Sequence, residues 1–165
     1  MAFALVGCTG PNSNAATTPT SQKVDQCIVG RWILTSQSFT DTITVPGVTL
    51  VGTGGAGEVD TYSADGHEVI DLTNASPYIE SGGGHSYTYT DRGIARFTMD
   101  AKNGTWSESG PDQTLTFKDV VLDGTMQPDA SAPVPPGAGT YRCSGSSLTW
   151  MRTIPFSGTA TEKRA

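Results

Sequence analysis

Carboxylates at alternating positions are the first chemistry this chain offers. Glu58 and Asp60 stand two residues apart, so an extended strand sends both side chains to one face. Glu68 and Asp71 follow across a turn and add two more acids. Paired carboxylates can do acid–base work or hold a cation. A solvated strand face explains them more simply, and four like charges on one hairpin discourage edge-to-edge aggregation. His67 falls in a hairpin and His85 in a Gly/Ser-rich loop, neither at a suggestive spacing from a nucleophile. No Gly-x-Ser-x-Gly elbow occurs, so both read as surface histidines. Gly52-Thr53-Gly54-Gly55-Ala56-Gly57 matches Gly-x-Gly-x-x-Gly in letters. A dinucleotide site needs a helix after that turn, where the pyrophosphate sits on the helix N-terminus. Here a strand and a hairpin are expected instead, and the glycines read as a flexible loop at the mouth of a barrel. No Cys-x-x-Cys or histidine pair suggests a metal. The expectation is a protein without catalytic residues, metal or cofactor, and so not an enzyme.

The elements that would position these groups are strands. Among 165 residues, 36% are apolar and only 16% charged, Ser and Thr make up roughly a quarter, and there are 20 Gly and 10 Pro. That composition excludes a helical bundle or coiled coil and carries too little charge for a disordered chain. A net charge of −6 argues against nucleic-acid binding, which needs clustered Lys and Arg.

Ile28 to Gln37 is β-branched and aromatic and predicts a long first strand. Asp65-Gly66 between residues 58–62 and 67–73 is the strongest hairpin signal. Shorter strands are expected at 87–90 and 94–99, the latter turned by Asn103-Gly104 into 105–108. A strand over 114–122 follows, and a last hairpin joins 140–143 to 147–152. Residues 38–57, 74–86 and 123–139 read as loops. Eight or nine strands joined as hairpins leave edges, which closure into a barrel removes; a sandwich is the alternative.

The N-terminal residues end in Leu5-Val6-Gly7-Cys8, which resembles a bacterial lipobox, with Cys8 as the lipid attachment point. A chance occurrence is the alternative, since no Lys or Arg precedes Cys8 and the apolar stretch is short. The polar run after it, with two prolines, reads as a tether that would hold a domain off a membrane. No stretch approaches the roughly 20 apolar residues of a membrane span. If Cys8 carries lipid, Cys27 and Cys143 remain as a pair, expected to clip the first strand to the last in an oxidising compartment. Two unrelated buried thiols are the alternative.

Gly30-Arg31-Trp32 on the first strand, with Arg152 on the expected last one, resembles the lipocalin and wider calycin pattern. In that family a Gly-x-Trp opens the barrel and a late basic residue packs over the indole. Trp150-Met151-Arg152 and Tyr141-Arg142-Cys143 look like parts of small bacterial lipocalin-like lipoproteins. The resemblance covers residues 27 to about 154; an ordinary core tryptophan is the alternative for Trp32.

The expected fold is an all-β, closed or nearly closed antiparallel up-and-down barrel of about eight strands. A signal remnant would span 1–8, a tether 9–26, the barrel 27–154 and a frayed tail 155–165. The expected function is a lipid-anchored protein of the bacterial cell envelope, binding a small hydrophobic or amphipathic ligand. Tyr62, Ile70, Leu72, Phe97, Phe117 and Trp150 are the candidate ligand-binding residues. The alternative is a filled barrel whose loops bind an envelope partner or inhibit a hydrolase.

Overall fold

Apolar and polar side chains alternate through nearly every segment, and the segments are strands. The computed structural model describes residues 22–42, 44–110 and 113–165. Cys8 and most of the expected tether lie outside them. In chain order the first strands are β1 (Gly30–Asp41), β2 (Leu50–Thr53), β3 (Val59–Tyr62), β4 (His67–Asp71) and β5 (Tyr78–Gly82). Then come β6 (His85–Arg92), β7 (Ile94–Lys102), β8 (Thr105–Ser109), β9 (Gln113–Leu122) and β10 (Thr125–Met126). The last are β11 (Ala130–Val134), β12 (Ala138–Ser144), β13 (Ser147–Ile154) and β14 (Ser157–Arg164). No helix occurs among the described residues.

Eight strands close a ring. Around it run β1, β3, β4, β7, β8, β12, β13 and β14, each pairing antiparallel with the next, and β14 returns to β1. The fold is a closed antiparallel up-and-down barrel. The remaining strands are three insertions between consecutive barrel strands, after β1, β4 and β8. All three leave from the same end, and β2, β5, β6 and β9 pair into a side sheet there. Of these, β2 and β5 occupy segments expected to be loops, while β6 and β9 fall on the strands expected at 87–90 and 114–122. The upper half of β1 joins the side sheet, because Ser38–Asp41 pairs with β2 while Gly30–Ile33 pairs with β3.

The other end is the base. The expected Asp65-Gly66, Asn103-Gly104 and Gly145 turns lie here, and Asn103 and Gly104 both take positive φ (54° and 80°), as a two-residue hairpin requires. A strap of residues before β1 crosses beneath them. Lys23 N donates to Ala64 O at 2.9 Å, and Asp25 N to Ala101 O at 2.8 Å. Val24 and Ile28 are buried against Trp32, Met99, Leu148 and Trp150. Residues 23–26 are therefore part of the folded unit and not the end of a tether. Apolar Val24 and the backbone pairing with Ala101 hold them there.

Cys27 and Cys143 form a disulfide, with Cα atoms 6.1 Å apart. Cys143 lies on β12, three strands round the ring from β1, so the bond crosses the base and does not join neighbouring strands. The C-terminal residues do not fray. Ser157–Arg164 is the closing strand β14, paired with β13 on one side and β1 on the other. Two backbone ladders hold a segment whose own apolar content is small.

That strand also corrects the basic residue over Trp32. Arg164 fills the role, its guanidinium 4.4 Å from the indole centroid, while Arg152 on β13 lies 5.2 Å over Trp106. Gly30 has φ +138°, and a Cβ there would meet Arg164 Nη1 at 2.6 Å. The glycine of Gly-x-Trp thus makes room for the arginine that seals the base.

β9 shows one further departure. Asp119 takes φ 54° and the β6–β9 register shifts between Thr88 and Thr90. This bulge flips the parity, so Val120 and not Val121 is buried after Leu115.

Candidate functional site

Strand parity turns the acids inward. On β3 the inward residues are Asp60 and Tyr62; on β4 they are Glu68 and Ile70, with Leu72 continuing the row. Trp106 and Glu108 face in from β8, Trp150 and Arg152 from β13, and Ala160 and Glu162 from β14. Together they surround a cavity of about 210 Å³ that opens toward the side sheet, where Tyr78, Tyr89, Leu115, Val134 and Phe156 complete its wall. Asp60, Glu68 and Glu162 are only 2%, 3% and 2% exposed. The solvated strand face expected for Glu58, Asp60 and Glu68 is therefore corrected: these acids are interior. Asp71, one residue out of phase, points away and caps Thr73 N at 2.9 Å.

The floor is aromatic. The Trp150 ring lies 5.5 Å from Tyr62, 5.3 Å from Trp106 and 5.6 Å from Tyr141, centroid to centroid. Trp150 Nε1 donates to Glu162 Oε1 at 2.6 Å, and Tyr62 Oη donates to the same oxygen at 3.2 Å. Asp60 and Glu162 are buried neighbours, and Asp60 Oδ1 and Glu162 Oε2 have no hydrogen-bond partner. Arg152 Nη2 donates to Glu108 Oε1 at 3.3 Å, and Gly137 N to Glu108 Oε2 at 2.6 Å. Near the mouth, Tyr78 Oη donates to Glu58 Oε2 at 3.1 Å. Glu68 Oε2 has no hydrogen-bond partner.

These environments disfavour charge. Burial pushes Glu162 up to about 7, despite the Trp150 and Tyr62 donors. Burial, then the Glu162 charge, holds Asp60 well above the usual carboxylate range. Glu68 is raised by burial and by Glu108, and Glu58 by burial and Asp60. Burial also raises Glu108, against the pull of Arg152. Asp91, at the rim, is pushed up to about 7 by burial.

Of the expected ligand-binding residues, Tyr62, Ile70, Leu72 and Trp150 line the cavity. Phe97 is buried on β7 but does not line it, and Phe117 packs against Tyr89 in the side sheet, ring centroids 5.4 Å apart. The glycine-rich run leads from β2 into β3 with no helix after it. There Gly55, at φ +73°, leaves room for the Tyr78 hydroxyl, which a Cβ would meet at 2.5 Å. His67 is exposed, and His85 Nδ1 lies 2.8 Å from Asp123 Oδ2 on the surface. Among the described residues no group of three or more His, Cys, Asp or Glu is arranged to hold a metal ion.

Sequence reasoning missed Trp106, Glu108 and Glu162 as site residues. Trp106-x-Glu108 and Trp150-x-Arg152 carry the period-2 signal that places Glu108 and Arg152 beside inward tryptophans. Nothing comparable marks Glu162, whose strand is held by pairing alone. No protein-family model matches this chain, and neither the curated proteins nor the solved structures compared with it contain a match.

Proposed function

We propose that this protein is a binding module, a lipocalin-like barrel that holds a small amphipathic molecule in its interior. One observation carries the reading: the barrel is open inside, with an aromatic floor and polar atoms that lack partners in one cavity of about 210 Å³. A barrel built only as a scaffold fills its interior with its own side chains, and buried polar groups without partners are costly. A ligand that meets both the rings and the carboxyls removes that cost. The filled-barrel alternative required a packed interior, so the carrier reading is preferred. No step of bond making or breaking is part of it.

The location belongs to the same proposal. Leu5-Val6-Gly7-Cys8 supports lipid attachment at Cys8 and anchoring in a bacterial cell envelope. The Cys27–Cys143 disulfide fits an oxidising compartment.

Native mass spectrometry of the full chain, purified without organic solvent, tests the ligand reading. A discrete added mass that dissociates on gentle activation, and is lost in a Trp150→Ala variant, is the expected result. The absence of any adduct, together with no change in tryptophan fluorescence on adding neutral N-phenyl-1-naphthylamine, overturns it. Intact-mass analysis after expression with a bacterial lipoprotein leader tests Cys8: a diacylglyceryl increment abolished by Cys8→Ser is expected, and an unmodified mass overturns the anchor.

A further inference from the structure

The cavity's charge is lopsided. Glu58, Asp60, Glu68, Glu108 and Glu162 line it, and Arg152 is the one cationic side chain among its lining residues. Arg152 is already committed to Glu108. Glu68 is 97% buried by its 3% exposure, faces the cavity and leaves Oε2 without a partner. Beside it, Asp60 Oδ1 and Glu162 Oε2 are buried and also lack a hydrogen-bond partner. Around these acids stand the faces of Trp106, Trp150 and Tyr62.

We propose that the ligand is a small organic cation, an alkylammonium group carried on a body of about one ring. The proposal rests on the carrier reading above and names its ligand class. An ammonium supplies the donors and the positive charge that Glu68 and the Asp60–Glu162 pair lack. Its carbon neighbours meet indole and phenol faces, which attract cations by their quadrupoles. An anion would meet carboxylates on most sides. A metal ion would need three or more ligands in place, and that geometry is absent among the described residues. Size agrees as well: a cavity near 150 Å³ accommodates benzene, so about 210 Å³ suits a single ring with a short amine arm.

Binding is linked to protons. Burial raises both Asp60 and Glu162, and an ammonium beside them favours their ionised forms, so a proton held there leaves to solvent on binding. The other titratable or charged groups facing that pair are Tyr62 on β3, Glu68 on β4, Glu108 on β8, Arg152 on β13 and Glu58 just before β3. Each acid among them is raised by burial and ionises more readily once a cation arrives. The amine, with a pKa near that of lysine, stays protonated throughout. Affinity therefore rises with pH.

The test compares phenethylamine with 2-phenylethanol, which differ by the amine and hydroxyl alone, by calorimetry and tryptophan fluorescence on the full chain. At pH 8 the amine is expected to bind at least about 10-fold tighter than the alcohol, with the preference shrinking at pH 5. Asp60→Asn/Glu162→Gln is expected to remove the preference for the amine over the alcohol. Glu68→Gln gives a second variant should the first fail to fold, with the preference reduced. Equal binding of alcohol and amine overturns the cation inference and leaves the carrier reading standing. A preference that survives both variants also overturns it. No response to either compound also overturns the cation inference, while the adduct measurement above decides the carrier reading.

Discussion

The guanidinium of Arg164 covers the indole of Trp32 at 4.4 Å and also donates to the carbonyls of Val29 and Cys27, at 3.1 and 3.0 Å. One side chain from the last strand thus fastens the first strand and the strap at the base. A stack at an exposed site contributes about 0.5–1 kcal/mol, and the two hydrogen bonds add roughly as much again. Arg164→Ala is expected to lower stability by about 1–2 kcal/mol in urea unfolding, and Arg164→Lys by somewhat less. Gly30→Ala is expected to destabilise as well, since it places a Cβ in the guanidinium's space. Wild-type unfolding curves for Arg164→Ala would show that the seal carries no energy.

Stability is expected to fall as pH rises from about 4 to about 7. Glu162 and Asp91 have folded-state values near 7, above those of an unfolded chain. Within that window the native state binds more protons, so each rise in pH favours unfolding. Below the window both states are protonated, and above it both are ionised, so these groups add no further slope. For Glu162 the loss is on the order of 2–3 kcal/mol. Thermal melts without ligand should give a Tm several degrees higher at pH 5 than at pH 8. A Tm that climbs across this range contradicts the burial of the acids.

Glu68→Gln is expected to stabilise the unliganded protein at pH 8 and to leave it nearly unchanged at pH 4. At pH 8 the substitution removes a carboxylate that is buried, repelled by Glu108 and short of a donor. At pH 4 the native group is already protonated and close to the amide in shape and charge. A gain of about 1–2 kcal/mol confined to the higher pH is the signature. Equal effects at both values would trace the change to packing instead.

Arg152→Met should act in the opposite sense. It leaves Glu108 with only the Gly137 amide as donor; because Arg152 is 31% exposed, the loss is expected to fall below the roughly 3–5 kcal/mol of a fully buried pair. The loss should be smaller at pH 5 than at pH 8, because protonated Glu108 no longer needs the cation. Denaturation at the two pH values measures the difference.

The Cys27–Cys143 bond closes a loop with a sequence separation of 116. Restricting the unfolded chain over that length contributes about 4–5 kcal/mol in the entropic account. Cys27→Ser/Cys143→Ser is expected to lose a comparable amount, and reduction of the wild type should match it. If the variant unfolds as the wild type does, the strap holds by its buried apolar residues alone.

The barrel was legible because its hairpins announce themselves. Asp65-Gly66 and Asn103-Gly104 sit between alternating runs, and the fold uses both turns. The side sheet was legible only in β6 and β9, where strands are expected at 87–90 and 114–122. β2 and β5 are short, flanked by glycine and proline, and take their stability from partners far along the chain. β14 escaped notice for the same reason: Ser157–Arg164 has no large apolar side chain. Alternation identified the shared face of Glu58 and Asp60 but could not say which side that face meets. Acids are usually outside, and only ring closure reveals that here the face with Tyr62 is the interior. In the same way Arg152 was singled out for Trp32, whereas it serves Glu108, because the strand that bears Arg164 was not recognised.

β1 pairs with β14 along most of its length, while its opposite edge serves β3 below and β2 above. A single covalent beam therefore runs through both the cage and the awning over its entrance. The awning cannot swing as a rigid flap without tearing ladders at the middle of that beam. A ligand of the kind proposed would enter past cavity-lining side chains such as Phe39, Tyr78 and Phe156, within a frame whose outline stays fixed.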